Sequence, residues 1–175
     1  IMDLKMKEYD LIVIGSGAGM NVASDAYSNG MSVAMIDNGP LGGTCLNRGC
    51  IPTKIILYPA DVVQILKDAE KVGVHASKVS VDFKTVMRRM NELVEEDVSM
   101  MEKSIKRAKG KGFDFYNTTA RFVGKKVVEV DGKKIRAPLI LIASGTREGV
   151  PSIKGLKETG FLDSTTALQL DEPPK

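Results

Sequence analysis

This chain of 175 residues has only two cysteines, Cys45 and Cys50, in the stretch GGTCLNRGCIPTK over residues 42–54. A bridge across so few residues closes a tiny loop and constrains the unfolded chain little. The spacing therefore suits a redox-active disulfide better than a structural one. Unbroken helix is the wrong backbone for it, because five residues of rise come to about 7.5 Å, whereas bridged α-carbons lie roughly 4.4–6.8 Å apart. A distortion is expected between the two cysteines, and Gly49 can supply it. Pro52 then suits the first turn of a regular helix. This puts Cys50 at that helix's N-terminus, where the dipole favours a thiolate. Two inert, buried cysteines are the plain alternative, but inert thiols need neither the Gly42-Gly43-Thr44 approach nor the Ile51-Pro52-Thr53-Lys54 exit. A zinc site would require two further ligands, and His75 is the chain's only histidine; no metal is expected.

A second chemical segment lies near the N-terminus. Residues 9–14 (YDLIVI) form an apolar, β-branched run of the kind that makes a buried parallel strand. Gly15-Ser16-Gly17-Ala18-Gly19 follows at once, then a helix-compatible stretch that Asn29-Gly30 stops. Residues 32–36 (SVAMI) read as a second strand, ending at Asp37, 22 positions after Gly15. A bare glycine loop proves little. This one has the setting dinucleotide binding needs: a tight turn, room for backbone to approach pyrophosphate, and an acid for ribose hydroxyls. The fingerprint's third glycine position falls on Met20, with Gly19 one residue early, so looser helix–strand packing is expected there.

The cysteine segment resembles the redox motif of the flavin-dependent pyridine nucleotide–disulfide oxidoreductases, a family that includes dihydrolipoamide dehydrogenase, glutathione reductase and mercuric reductase. Gly42, Gly43, Thr44, Cys45, Asn47, Gly49, Cys50, Pro52 and Lys54 fall in place, and Leu46, Ile51 and Thr53 look most like the dihydrolipoamide dehydrogenase version. The resemblance implies a Rossmann-like α/β FAD-binding domain over residues 1–146, with a parallel sheet, flanking helices and a three-stranded antiparallel meander. It also implies a tail over residues 147–175 leading toward an NAD-binding domain. Residues 15–19 would then meet the FAD pyrophosphate. Asp37, where the family more often has Glu, would reach the ribose, with a shorter side chain. Ala120 would lie near the adenine end. Ser144 and Gly145, with threonine more usual at 144, would let backbone approach the cofactor. Cys45 would be the outer sulfur that exchanges with dihydrolipoamide, and Cys50 the sulfur against the flavin. Lys54, one helical turn after Cys50, would stabilise the thiolate and the reduced flavin.

The elements between these segments are plainer. The helical pattern after Lys54 continues to about Val72. Asp82 can cap another helix, which keeps apolar residues at helical spacing from Phe83 to Lys109, about 40 Å of rise. Its methionines read as packing residues. The cluster Lys103, Lys106, Arg107, Lys109 and Lys111 reads as a solvated helix end. From Gly112 the pattern has period two, giving short strands at 113–116, 119–123, 126–130 and 133–137, with a hairpin turn at Asp131-Gly132. Residues 139–143 (LILIA) read as another buried strand. His75, in a polar connection, reads as a surface residue.

The composition sets bounds. With 43% hydrophobic residues the chain can bury a core, and a net charge of +3 is too small to call for a polyanion. Basic residues without interleaved aromatics do not suggest a nucleic-acid partner. No signal peptide or transmembrane run is read, so the cytosol is the expected compartment. Ile1, ahead of Met2, reads as a non-native start. The chain has one glycine fingerprint, so it reads as the FAD-domain portion of a longer enzyme and is expected to be inactive alone. The resemblance implies NAD, a homodimer and a lipoyl domain of a 2-oxo acid dehydrogenase complex as the parent's cofactor and partners. The alternatives are a mercuric or glutathione reductase-like enzyme on the same scaffold, or a flavin-binding module without turnover.

Overall fold

The computed structural model describes residues 6–174, so Ile1 lies outside the described residues. The chain divides into two compact units: residues up to Thr44 together with Asp97–Thr146, and Cys45–Glu96 together with residues from Arg147 on.

The first unit is built on a parallel sheet of four strands, β4 (Phe113–Asn117), β3 (Val33–Asp37), β2 (Leu11–Ile14) and β8 (Leu139–Ile142), in that order. Leu11 pairs with both Val33 and Leu139, and Val33 with Phe113, so the four strands start level. Successive side chains on a strand point to opposite faces, and the core divides accordingly. Ile12, Ala34 and Ile36 pack with Val128, Val130 and Ile135 on one face. Leu11, Val13, Val33 and Met35 form the other face, with Ala23 of helix α1 (Ala18–Ser28) and with Met101, Ile105 and Ala108 from the end of a later helix. Strands buried on both faces read as continuous apolar runs, which is what LIVI and VAMI are.

The meander is β5 (Arg121–Gly124), β6 (Val127–Val130) and β7 (Lys133–Arg136), antiparallel as expected. Its second turn is made by Asp131 (φ 46°) and Gly132 (φ 72°), the two positive φ values that a two-residue hairpin requires. A short strand not foreseen, β1 (Lys7–Glu8), joins β7 in parallel register. Buried Tyr9 follows it. The Tyr9 hydroxyl donates to Asp114 Oδ2 at 2.8 Å and meets the Tyr116 hydroxyl at 2.6 Å, while Lys7 Nζ donates to the same Asp114 oxygen at 2.6 Å. These bonds tie Lys7 and Tyr9 to β4.

Two expectations about this unit are overturned. The 139–143 strand is not buried: β8 is the sheet's edge, Leu139 is 55% and Ile142 63% exposed, and β2 is its only strand neighbour among the described residues. Nor is helix–strand packing loose beside Met20. A Cβ built on Gly19 would sit 2.7 Å from Val13 Cγ1 and 3.2 Å from Ala143 Cβ. Gly19 therefore supplies the close approach assigned to the third glycine position.

In the second unit α3 (Cys50–Ala69) runs into a short 3₁₀ turn (Glu70–Val72). Helix α4 (Phe83–Ala108) begins where Asp82 accepts from the Thr85 N–H at 3.1 Å and its hydroxyl at 2.8 Å, the expected cap. His75 is exposed in the connection; the basic cluster from Lys103 to Lys111, where α4 has passed into the first unit, is exposed as well. Toward the C-terminus lie α5 (Leu156–Thr159) and a 3₁₀ turn (Thr166–Gln169), the latter started by Asp163 Oδ1 accepting from the Thr166 N–H at 2.7 Å. The run Gly43–Val72 is, contrary to the sequence reading, long and apolar enough to cross a membrane by length and composition, with a mean hydropathy of 1.2. It is interrupted at Gly49 and holds Pro52, Lys54 and Pro59.

Candidate functional site

The glycine turn leaves β2 at Ile14 and enters α1 at Ala18. Gly17 caps α1 without any side-chain hydrogen bond, and no acidic residue stands in the helix's first turn. The N–H groups that a helix start leaves without intrahelical partners, with the positive end of the dipole, suit a phosphate. Ser16 is fully buried, while Gly17 is half-buried and Ala18 exposed at the turn's surface.

Asp37 stands at the end of β3, beside this turn. Its Oδ2 accepts from the Ser16 N–H at 2.6 Å, and its Oδ1 from the Gly39 N–H at 2.9 Å. Ser16 Oγ in turn accepts from the Gly42 N–H at 3.2 Å. Burial works against the Asp37 charge, but the bonds from the Ser16 hydroxyl and from the Gly39 and Ser16 N–H groups outweigh it and hold the carboxyl below its ordinary range. The acid expected to face a ribose is thus first of all bonded to its own backbone. Each carboxylate oxygen accepts more than one hydrogen bond, so the half-buried group still fits a ribose hydroxyl.

Gly42 and Gly43 come next to the turn. Gly43 has φ 60°, and a Cβ on it would lie 2.7 Å from Gly17 Cα, so the Gly43 backbone sits against the glycine turn and position 43 has no room for a side chain. Thr44 is exposed. Ala120 is half-buried against the core shared with β6 and β7, just after Thr119, whose hydroxyl accepts from the Asn38 amide at 3.0 Å. Ser144 and Gly145 are exposed after β8. The sheet thus gathers residues 15–19, 37, 42–44 and 144–145 at the C-terminal ends of its strands, where ligands of open α/β sheets sit. The donors, the acid and the glycine surfaces fit the pyrophosphate and ribose of FAD.

The thiol pair belongs to the second unit. Helix α2 (Gly43–Arg48) ends before Gly49, which leaves helical geometry at φ −147° and ψ −109°, and α3 starts at Cys50. The break, and Cys50 at the helix start, are as the spacing requires. Pro52 is buried in the first turn of α3, and the Thr53 N–H bonds the Gly49 carbonyl at 3.1 Å. Cys45 and Cys50 are both exposed free thiols in this structure. A side-chain hydrogen bond with Cys50 pushes the Cys45 pKa up, while the Cys50 N–H and the charge of exposed Lys54 pull the other way. Oxidised to a disulfide, two such sulfurs can exchange with a dithiol. Among the described residues no group of three His, Cys, Asp or Glu could hold a metal.

What sequence reasoning missed here is Ser16's link to Gly42 and Asp37's bonds to the turn. A small hydroxyl residue inside the glycine turn was the only signal.

An α/β nucleotide site whose chain runs on directly into a thiol pair at a helix start defines a class, the flavin-linked disulfide oxidoreductases. Residues 9–175 match the family model described as pyridine nucleotide-disulphide oxidoreductase, and the chain belongs to that family. Its similarity is 38% identity to a mercuric reductase of Bacillus cereus, over 95% of this chain and 26% of that protein. A dihydrolipoyl dehydrogenase of Bacillus subtilis is 36% identical over 94% of this chain and 37% of that protein. Among solved structures, the HOCl-induced flavoprotein disulfide reductase RclA from Escherichia coli superposes with a TM-score of 0.72 at 30% identity, covering 94% of this chain and 34% of that one. The chain spans roughly a third of the length of the relatives it matches.

Proposed function

We propose that this chain is the FAD-binding, thiol-carrying portion of an enzyme of the dihydrolipoamide dehydrogenase type. The observation that carries this reading is the placement of Cys45 in α2 and Cys50 at the start of α3, on either side of the Gly49 break, with Lys54 one turn further on. A dihydrolipoamide thiolate attacks the oxidised pair at Cys45 Sγ; the Cys45–Cys50 bond breaks and Cys50 leaves as thiolate. The second lipoamide thiol, once deprotonated, attacks its own sulfur in the mixed disulfide, closing the cyclic disulfide and releasing Cys45. Exchange of this kind needs an accessible sulfur to attack and a leaving thiolate; both sulfurs are exposed, and Cys50 stands at the start of α3. FAD, when bound, supplies the two-electron acceptor, and NAD in the longer parent the final one. Residues 15–19 hold the pyrophosphate, Asp37 the ribose side, Gly42, Gly43 and Thr44 the approach to the thiols, Ala120 the adenine end, and Ser144 and Gly145 the remaining backbone contact.

The parent's partners on this reading are a lipoyl domain and a second copy of itself, in the cytosol, with neither nucleic acid nor membrane. A second reading, a mercuric reductase on the same scaffold, is favoured by the 38% identity to the Bacillus cereus protein. The test is direct. Oxidised chain mixed with dihydrolipoamide should release free thiol on the protein in step with lipoamide formation, and FAD should bind with quenching of its fluorescence. NAD binding with no measurable FAD affinity overturns the reading. Among full-length variants, turnover with dihydrolipoamide but not with Hg(II) selects the first reading over the second.

A further inference from the structure

Ser16 is the chain's one buried polar residue among those described, and both its neighbours are pieces of the nucleotide site. Its N–H and hydroxyl both point to Asp37, and its oxygen receives the Gly42 N–H. Asp37 also holds the Gly39 N–H. One carboxylate and one hydroxyl thus connect three stretches of backbone: the glycine turn, the turn after β3, and the Gly42-Gly43 approach. The 2.6 Å bond from Ser16 N is short for an amide donor, as expected where the acceptor is charged.

We propose that Ser16 and Asp37 are a positioning pair that fixes the glycine turn and the Gly42 segment before any nucleotide arrives, so that Asp37 supports nucleotide binding through backbone as well as through ribose. This rests on the FAD-site reading for its ligand but not for its geometry. A buried serine hydroxyl between a carboxylate acceptor and a backbone N–H donor has no substitute in alanine, which would leave the Gly42 N–H without that acceptor. Asparagine at 37 keeps the shape and loses the charge.

Amide exchange and ¹H–¹⁵N spectra of the ligand-free chain, with ADP and 2′,3′-dideoxy-ADP as probes, test the idea. The Ser16 amide proton should resonate far downfield. Asp37→Asn should move it upfield, and Ser16→Ala should leave the amide at 16 downfield while speeding exchange at Gly42. Losing a hydrogen bond to a charged group corresponds to about tenfold or more, so exchange at 16 and 39 in Asp37→Asn should rise by at least that factor. Asp37→Asn should weaken the dideoxy analogue by that factor and ADP by at least as much. A penalty confined to ADP, with exchange and the Ser16 shift unchanged, makes Asp37 a ribose ligand alone and overturns the proposal. If neither nucleotide binds the unaltered chain, the FAD-site reading fails, while the exchange and shift results still decide the positioning pair.

Discussion

At the scale of single residues, the two sulfurs are not equivalent. The hydrogen bond to Cys50 keeps the proton on Cys45 and raises its pKa, against the pull of the Cys50 N–H and Lys54. Because the thiolate is the reactive form, Cys45 in the reduced chain should alkylate more slowly at neutral pH than an isolated exposed thiol. Its rate-against-pH curve should be displaced to higher pH. Cys50→Ser replaces the sulfur acceptor and should bring that curve back toward the ordinary range. Iodoacetamide labelling followed by peptide mass analysis reads this directly, and an unchanged curve in Cys50→Ser would show that the Cys45 proton is held by something else. Asp114 is the other residue whose partners decide its charge. Burial resists ionisation there, but Lys7 and Tyr9 donate to the carboxylate and hold its pKa below the ordinary range. A depressed folded pKa contributes stability that is complete above the unfolded value of about 3.9 and is lost as pH falls through the folded one. Asp114→Asn should therefore cost about 1.5–3 kcal/mol at neutral pH and flatten the acid limb of the unfolding curve below about pH 4. Equal acid limbs for the two proteins would remove Asp114 from the account.

Elements show where local pattern suffices and where it does not. The strand, glycine turn and helix over 11–28 were legible because an apolar run, a glycine cluster and an Asn-Gly stop lie next to each other in sequence. The break at Gly49 was legible because bridging geometry forbids straight helix. The place of β4 was not: 113–117 alternates like the meander strands, yet it pairs in parallel with β3. Period two reports that a strand has two faces and says nothing of which neighbour it finds. Likewise LILI predicts burial from hydropathy alone, whereas an edge position leaves Leu139 and Ile142 exposed. Asp37's bonds were hidden for a third reason: a carboxylate's partners are set by turn geometry across 21 residues, as with Ser16. Gly19 gives the element-scale prediction. A methyl there meets Val13 at 2.7 Å, the end of a branched side chain in a fully buried strand. Overpacking of this kind costs about 1–3 kcal/mol. Gly19→Ala should lower the denaturant midpoint accordingly, and Val13→Ala in the same chain should recover part of the loss. Strictly additive losses would mean that α1 shifts away from the sheet instead.

The whole molecule holds one nucleotide fingerprint, one thiol pair and one histidine, and the balance of those parts sets what the 175 residues can do by themselves. Thiol–disulfide exchange requires only the sulfurs and their charge environment, all of which lie within residues 45–54. Steady oxidation of dihydrolipoamide by NAD requires more. NAD must be held in reacting contact, a positioning contribution that can reach about 7–11 kcal/mol of barrier, and no second glycine fingerprint is present to hold it. A general base for the incoming thiol adds roughly 10²–10⁴-fold, and His75 is exposed in the connection before α4, outside the thiol segment. The purified chain should thus be reduced stoichiometrically by dihydrolipoamide, slowly, and should not turn over NAD. Loaded with FAD and then reduced by dithiol, it should develop long-wavelength absorbance, which Cys45→Ser keeps and Cys50→Ser abolishes, since Cys50 is the sulfur assigned to the flavin side. NADH formation followed at 340 nm, alongside thiol counting, separates the two capacities. Sustained NADH production at a rate comparable to a full-length relative would mean that the acceptor site lies within these 175 residues and that the division of labour inferred from the single fingerprint is wrong.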